Sequence, residues 1–295
     1  MARLAYLGTP DMAVPPLRAL VEAGHDIALC VTRPDRRRGR GKDVTPSPVK
    51  AAAIELGIPV THDMEDLATA GVELAVVVAY GRIIPARLLE QIPMVNLHFS
   101  LLPRWRGAAP VERAILAGDA ETGVCLMKVE EGLDTGPVYA VRTVPLDDEI
   151  TLAALRVELV DVASALVVES LAQGVAGLPD PVPQAGEVTL ADKISTEDLH
   201  LDWTRPAVDL RRVVRLGRAW TTFRGKRLTV LATLPGPNDA GADAVPPGSL
   251  VGPVVATGGG SLVLEQVQPE SRSPMSAEEW LRGVRPAAGE RLGTD

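Results

Sequence analysis

Asn96 and His98 stand two residues apart in the stretch Val95-Asn96-Leu97-His98-Phe99-Ser100-Leu101-Leu102-Pro103-Arg104-Trp105-Arg106-Gly107. Ile92 to Leu97 is an apolar run that reads as a short buried strand, and Pro103 to Gly107 reads as the loop after it. Side chains alternate along a strand, so the amide and the imidazole project to one side. In an open parallel sheet, ligands collect beyond the carboxyl ends of the strands. There an asparagine can stabilise a developing oxyanion, and a histidine can move a proton near neutral pH. Taken alone, such a pair is more often found as turn or capping residues. The other segments of the chain shift the balance.

Asp134 lies in Gly132-Leu133-Asp134-Thr135-Gly136, a Gly-flanked turn between two strand-like runs. Aspartate favours such turns for its own hydrogen bonds. It also reads as a carboxylate aimed at the cleft of His98, orienting the imidazole. From Arg33 to Lys42, six of ten residues are basic and two are glycine. A loop of that length in a compact domain is functional or disordered. A solvated charge run would have the same composition, but Arg36, Arg38, Arg40 and Lys42 suit a phosphate backbone better. Six like charges and two glycines predict disorder there without a partner. A second basic stretch runs from Arg205 to Arg227, with eight cations against Asp209. Arg211, Arg215 and Arg218 fall at helical spacing, with Trp220 and Phe223 nearby, which suggests a nucleic-acid face.

Strands and helices alternate through the first part of the chain. Ala2–Gly8, Ile27–Thr32 and Glu73–Ala79 read as strands; Met12–Glu22, Pro46–Leu56, Pro85–Gln91, Ala108–Leu116 and Thr151–Leu171 read as helices. This pattern predicts an α/β fold with a Rossmann-like, mostly parallel sheet. Beyond one helix at Ala207–Leu216, short apolar runs separated by Gly/Pro turns predict a small, OB-like β-barrel. The expected domains are therefore 1–174, a linker over 175–204, and 205–295.

The 295 residues carry a net charge of −8, which argues against a protein that coats nucleic acid. The charge is uneven: Arg205 to Asp295 holds 12 basic and 9 acidic residues, leaving the remainder at −11. That asymmetry points to an anionic partner near the C-terminal part. Cys30 and Cys125 sit in apolar runs and read as reduced core residues of a cytoplasmic protein. No signal-peptide pattern or membrane-spanning stretch is seen, so no membrane partner is expected. The first strand–helix turn, Gly8-Thr9-Pro10-Asp11, lacks GxGxxG, and HExxH and paired CxxC are absent. Neither a dinucleotide cofactor nor a catalytic metal is expected.

Asn96 through Pro110 resembles the active-site stretch of the methionyl-tRNA formyltransferases. Gly8-Thr9-Pro10-Asp11, Arg40-Gly41-Lys42, Pro46-Ser47-Pro48-Val49-Lys50 and Ala79-Tyr80-Gly81 resemble the same family. Gly132-Leu133-Asp134-Thr135-Gly136 is similar to the wider formyl-folate transferase signature. The resemblance spans Arg3 to Val138 and weakens towards the end. It implies formyl transfer from 10-formyltetrahydrofolate, a co-substrate, to the α-amino group of initiator methionyl-tRNA. It implies catalytic places for Asn96, His98 and Asp134, and folate contacts at Ser100, Leu101, Leu102 and Pro103. It places Arg40 in a loop inserted at the tRNA acceptor end. Arg211 and Arg215 are the expected contacts in the second domain, and a monomer is expected. The alternative is a formyltransferase acting on an amino-sugar nucleotide, which would share the trio but leave the basic segments unexplained.

Overall fold

The computed structural model describes residues 1–37, 44–237 and 245–294. In chain order the strands are β1 (Arg3–Gly8), β2 (Asp26–Val31), β3 (Arg36–Arg37), β4 (Val44–Thr45), β5 (Val60–Thr61), β6 (Leu74–Val78), β7 (Met94–His98), β8 (Arg106–Gly107), β9 (Glu121–Lys128), β10 (Val138–Pro145), β11 (Leu190–Ala191), β12 (Ala219–Phe223), β13 (Lys226–Pro235), β14 (Leu250–Val251), β15 (Val254–Ala256), β16 (Ser261–Pro269) and β17 (Met275–Ser276). The helices are α1 (Val14–Glu22), α2 (Pro48–Glu55), α3 (Ala86–Gln91), α4 (Pro110–Ala117), α5 (Leu152–Leu171), α6 (Ala207–Val214) and α7 (Ala277–Val284). Arg38, Arg40 and Lys42 lie outside the described residues, as does the second half (38–42) of the segment expected to be disordered. Arg36 is described by its backbone alone, paired with Thr45.

The chain divides into two compact units. The first holds Met1–Val111, Glu121–Pro145 and Arg156–Asp192; the second holds Glu112–Ala120, Leu146–Leu155 and Lys193–Asp295. In the first unit a seven-stranded sheet runs β10-β9-β7-β6-β1-β2-β5. The strands from β7 to β5 are parallel, whereas β9 and β10 are antiparallel additions at the β7 edge. All five residues of β6 are buried. That burial explains their unbroken apolar character, since a central parallel strand is covered on both faces. Strand order reverses between β1 and β6, the kind of switch point beyond which such sheets bind ligands. Two prolines at the start of α1 sit where a missing N–H costs nothing. The Ser47 hydroxyl caps α2 by accepting from the Lys50 N–H at 3.1 Å.

The second unit is an antiparallel sheet in the order β12-β13-β16-β15-β14, with β17 beside β16. Trp203, Leu210, Val213, Phe223, Val230, Leu264, Val267 and Trp280 form its core. Residues 175–192 stay with the first unit, where β11 pairs in parallel with β8. Cys30 and Cys125 are both free and buried.

Candidate active site

β7 brings Asn96 and His98 to its carboxyl end, with Asn96 beside Met127 and His98 beside Cys125 of β9. Asn96 is partly exposed and His98 is 5% exposed. Beyond the strand the chain folds back over the ring. Ser100 is fully buried, and its hydroxyl donates to the Arg104 carbonyl at 2.6 Å. The Arg104 N–H donates to the Leu101 carbonyl at 3.0 Å. Leu101 and Leu102 are partly buried, Pro103 is buried, and the Leu102–Pro103 peptide is cis. This turn sets the Trp105 carbonyl 2.9 Å from His98 Nε2. A carbonyl only accepts, so Nε2 carries a proton, and in a neutral ring the lone pair is then at Nδ1.

Nδ1 faces the carboxylate of Asp134, with Oδ2 at 3.6 Å. Asp134 adopts φ +50°, a conformation aspartate tolerates in turns. The Gly107 N–H donates to the same Oδ2 at 2.9 Å. Gly107 itself has φ +125°, and a Cβ there would lie 2.9 Å from the Ala191 carbonyl oxygen. Only glycine fits between β11 and the carboxylate. The site thus holds a buried imidazole whose Nε2 is bonded to a carbonyl and whose Nδ1 faces a carboxylate, with an amide on the same strand face. Such a group can take a proton from a nucleophile and stabilise the anion its attack creates.

Sequence reasoning missed the supports of this pair. The Gln184 amide donates to the Asp134 and Gly136 carbonyls, both at 2.8 Å. The Thr189 hydroxyl accepts the Trp105 N–H at 2.8 Å. A lone Gln and a lone Thr in a Gly/Pro-rich stretch carry no signal in the sequence.

The basic helix differs from the expected open face. Arg215 is buried, and its guanidinium donates to the Ile150 and Asp147 carbonyls at 2.8 and 2.6 Å. Arg211 pairs with Glu149 at 2.5 Å, and Arg218 lies beyond the helix end. The acidic turn at Asp147–Glu149 draws these two arginines inward. The Glu149 and Ile150 N–H groups hold Asp147 below the usual carboxylate range, while burial lowers the pKa of Arg215. Phe223 is a core residue set edge-on to Trp280 at 5.2 Å, so it offers no stacking surface. Trp220 is partly exposed, with Arg227 over its ring at 4.6 Å. Among the described residues, no group of three or more His, Cys, Asp or Glu is placed to hold a metal.

The formyl transferase family matches residues 2–171, and the formyl transferase C-terminal domain matches residues 193–285. The chain belongs to the formyl transferase family. A methionyl-tRNA formyltransferase of Dinoroseobacter shibae is 43% identical, with 96% of this chain and 97% of the relative covered. One from Ruegeria pomeroyi is 42% identical, with 98% and 100% covered. Among solved structures, the methionyl-tRNA formyltransferase of Clostridium thermocellum has TM-score 0.56 at 17% identity, covering 79% of this chain and 93% of that one. An N-formyltransferase of Helicobacter canadensis, solved with folinic acid and dTDP-3-aminofucose, has TM-score 0.68 at 15% identity, covering 91% and 100%. At those identities the two structures establish the formyl transferase fold alone. Both units of this formyl transferase are thus accounted for, and residues 172–192 fall between the two matched stretches.

Proposed function

We propose that this formyl transferase moves the formyl group of 10-formyltetrahydrofolate to the α-amino group of initiator methionyl-tRNA. The observation that carries this reading is the 42–43% identity to relatives of that name across nearly the whole of both chains. The amino-sugar alternative draws on a neighbour that is only 15% identical.

The neutral amine attacks the formyl carbon, forming a C–N bond and placing negative charge on the formyl oxygen. Asn96 donates to that oxygen, which is worth about 10²–10³-fold in rate. His98 takes the amine proton at Nδ1, the nitrogen left free by its bond to the Trp105 carbonyl. Asp134 then faces the imidazolium at 3.6 Å and balances its charge. Collapse of the tetrahedral centre breaks the bond to the folate nitrogen, which receives the proton. Acid–base help of this kind is worth roughly 10²–10⁴-fold. Ser100, Leu101, Leu102 and Pro103 form the turn that would border the folate, with Ser100 holding its shape from within.

Arg36, Arg38, Arg40 and Lys42 are the proposed phosphate contacts in the first unit. In the second unit, Arg211 on Glu149 and Arg215 on the Asp147 and Ile150 carbonyls support the surface more than they reach the RNA. Monomeric action in the cytoplasm is part of this reading, and sedimentation tests the monomer. The function is tested with purified protein, 10-formyltetrahydrofolate and charged initiator tRNA. Formyl-methionyl-tRNA should accumulate; its absence under conditions where a known formyltransferase works would refute the proposal.

A further inference from the structure

We infer that residues 182–191, which lie between the two family domains, act as a clamp that positions the reacting pair. Gln184 and Thr189 are its positioning residues. The inference rests on the proposed roles of His98 and Asp134.

The segment grips the site from two sides. Val182 exchanges both backbone hydrogen bonds with Val138 at 2.8 Å, at the start of β10 and just after the Asp134 turn. Gln184 follows, and its single amide group makes four hydrogen bonds. Its Nε2 donates to the Asp134 and Gly136 carbonyls at 2.8 Å each. Its Oε1 accepts from Arg106 Nε and Nη2 at 3.0 and 2.7 Å. Arg106 precedes Gly107, whose N–H donates to the Asp134 carboxylate. Gln184 therefore ties the backbone of Asp134 to the strand that holds its side chain.

The second grip is at Thr189. Its hydroxyl accepts the Trp105 N–H at 2.8 Å, and its carbonyl accepts the Arg106 N–H at 2.9 Å. The Ala191 carbonyl accepts the Ala108 N–H at 2.8 Å. Trp105 stands at φ +60°, and its carbonyl is the group that keeps the proton on His98 Nε2. Losing the Thr189 hydroxyl removes a bond that orients the residue selecting the tautomer. A bonded ring nitrogen decides which of the two nitrogens is free to react. Small misplacements of a reacting group cost large factors in rate.

The test compares Gln184→Met, Thr189→Val and Thr189→Ser. The first two should lower kcat for formyl transfer by about 10–100-fold while KM for both substrates stays unchanged. Thr189→Ser should restore the wild-type rate, because it keeps the accepting hydroxyl. Nitrogen NMR of ¹⁵N-histidine protein, with His98 assigned by difference against His98→Ala, gives a second readout that needs no substrate. Wild type and Thr189→Ser should show the proton on Nε2, and Thr189→Val should show a mixture of tautomers. Wild-type kcat in Gln184→Met and Thr189→Val, or an unchanged tautomer in folded Thr189→Val, would overturn the inference. If the wild-type protein transfers formyl to no acceptor, the proposed function fails, and the tautomer comparison still decides whether the clamp sets the ring.

Discussion

Asn96 and His98 share a strand face, and in the proposed mechanism they act on different atoms, so single substitutions separate them. Asn96→Ala should lower kcat by about 10²–10³-fold, the cost of losing one oxyanion donor. His98→Ala should lower it by roughly 10²–10⁴-fold. Filter binding should show tRNA affinity close to wild type in both; a near-normal rate for His98→Ala would remove it from the mechanism. Gly107 is a residue of another kind, because its role is conformational. Gly107→Ala puts a methyl group against the Ala191 carbonyl at φ +125°. Thermal melting should show a loss of about 1–3 kcal/mol, accompanied by reduced kcat, since the same backbone N–H holds Asp134. That Asn96 and His98 share a strand end, and that Asp134 sits in a Gly-flanked turn, was legible in the sequence. The choice of ring nitrogen was not, because the Trp105 carbonyl that makes it depends on how the chain turns back.

Elements with a strong apolar signal were the easiest to read. Glu73–Ala79 was expected as a strand, and β6 occupies Leu74–Val78 at the centre of the sheet. The pairing of β8 with β11 had no such signal. Each strand is two residues long, too short for an apolar run or an alternation to mark it. Trp220 and Phe223 suggest a nucleic-acid face in the sequence, yet within β12 the alternate residues Ala219, Thr221 and Phe223 are buried. α7 begins with a complete capping box, in which Ser276 and Glu279 each bond the other's backbone N–H, a pattern visible in Ser276-x-x-Glu279. α6 shows how a basic helix can be anchored internally. Arg215→Met should leave the Asp147 and Ile150 carbonyls without their donor. Urea unfolding should report a loss of about 1–3 kcal/mol per group left unsatisfied. An unchanged midpoint would mean that water replaces the guanidinium.

At the scale of the whole molecule, two family domains, an uneven charge and two compact units describe one enzyme. The second unit also carries a pH signature. Arg224 grips both Glu290 oxygens at 2.7 Å, which with the Ala287 N–H lowers the Glu290 carboxyl from 4.5 to about 2. A depressed folded-state value stabilises above the unfolded one. The contribution is therefore full above about pH 4.5 and lost as pH falls towards 2. Acid unfolding of wild type and Arg224→Ala should diverge above that window and converge below it; parallel curves throughout would place the carboxyl elsewhere. The α/β class and the antiparallel second sheet were legible from element order. The assignment of Lys193–Asp295 together with Glu112–Ala120 and Leu146–Leu155 to one unit was not, because it depends on packing between distant segments.

The central claim is that the formyl acceptor is a tRNA-borne amine. The most direct measurement is single-turnover transfer from 10-formyltetrahydrofolate, with methionyl initiator tRNA and an amino-sugar nucleotide offered in one reaction. The account predicts formyl-methionyl-tRNA alone. Formylation of the sugar alone would keep Asn96, His98 and Asp134 in place but contradict the account of the acceptor, and the Arg33–Lys42 segment would revert to a solvated charge run.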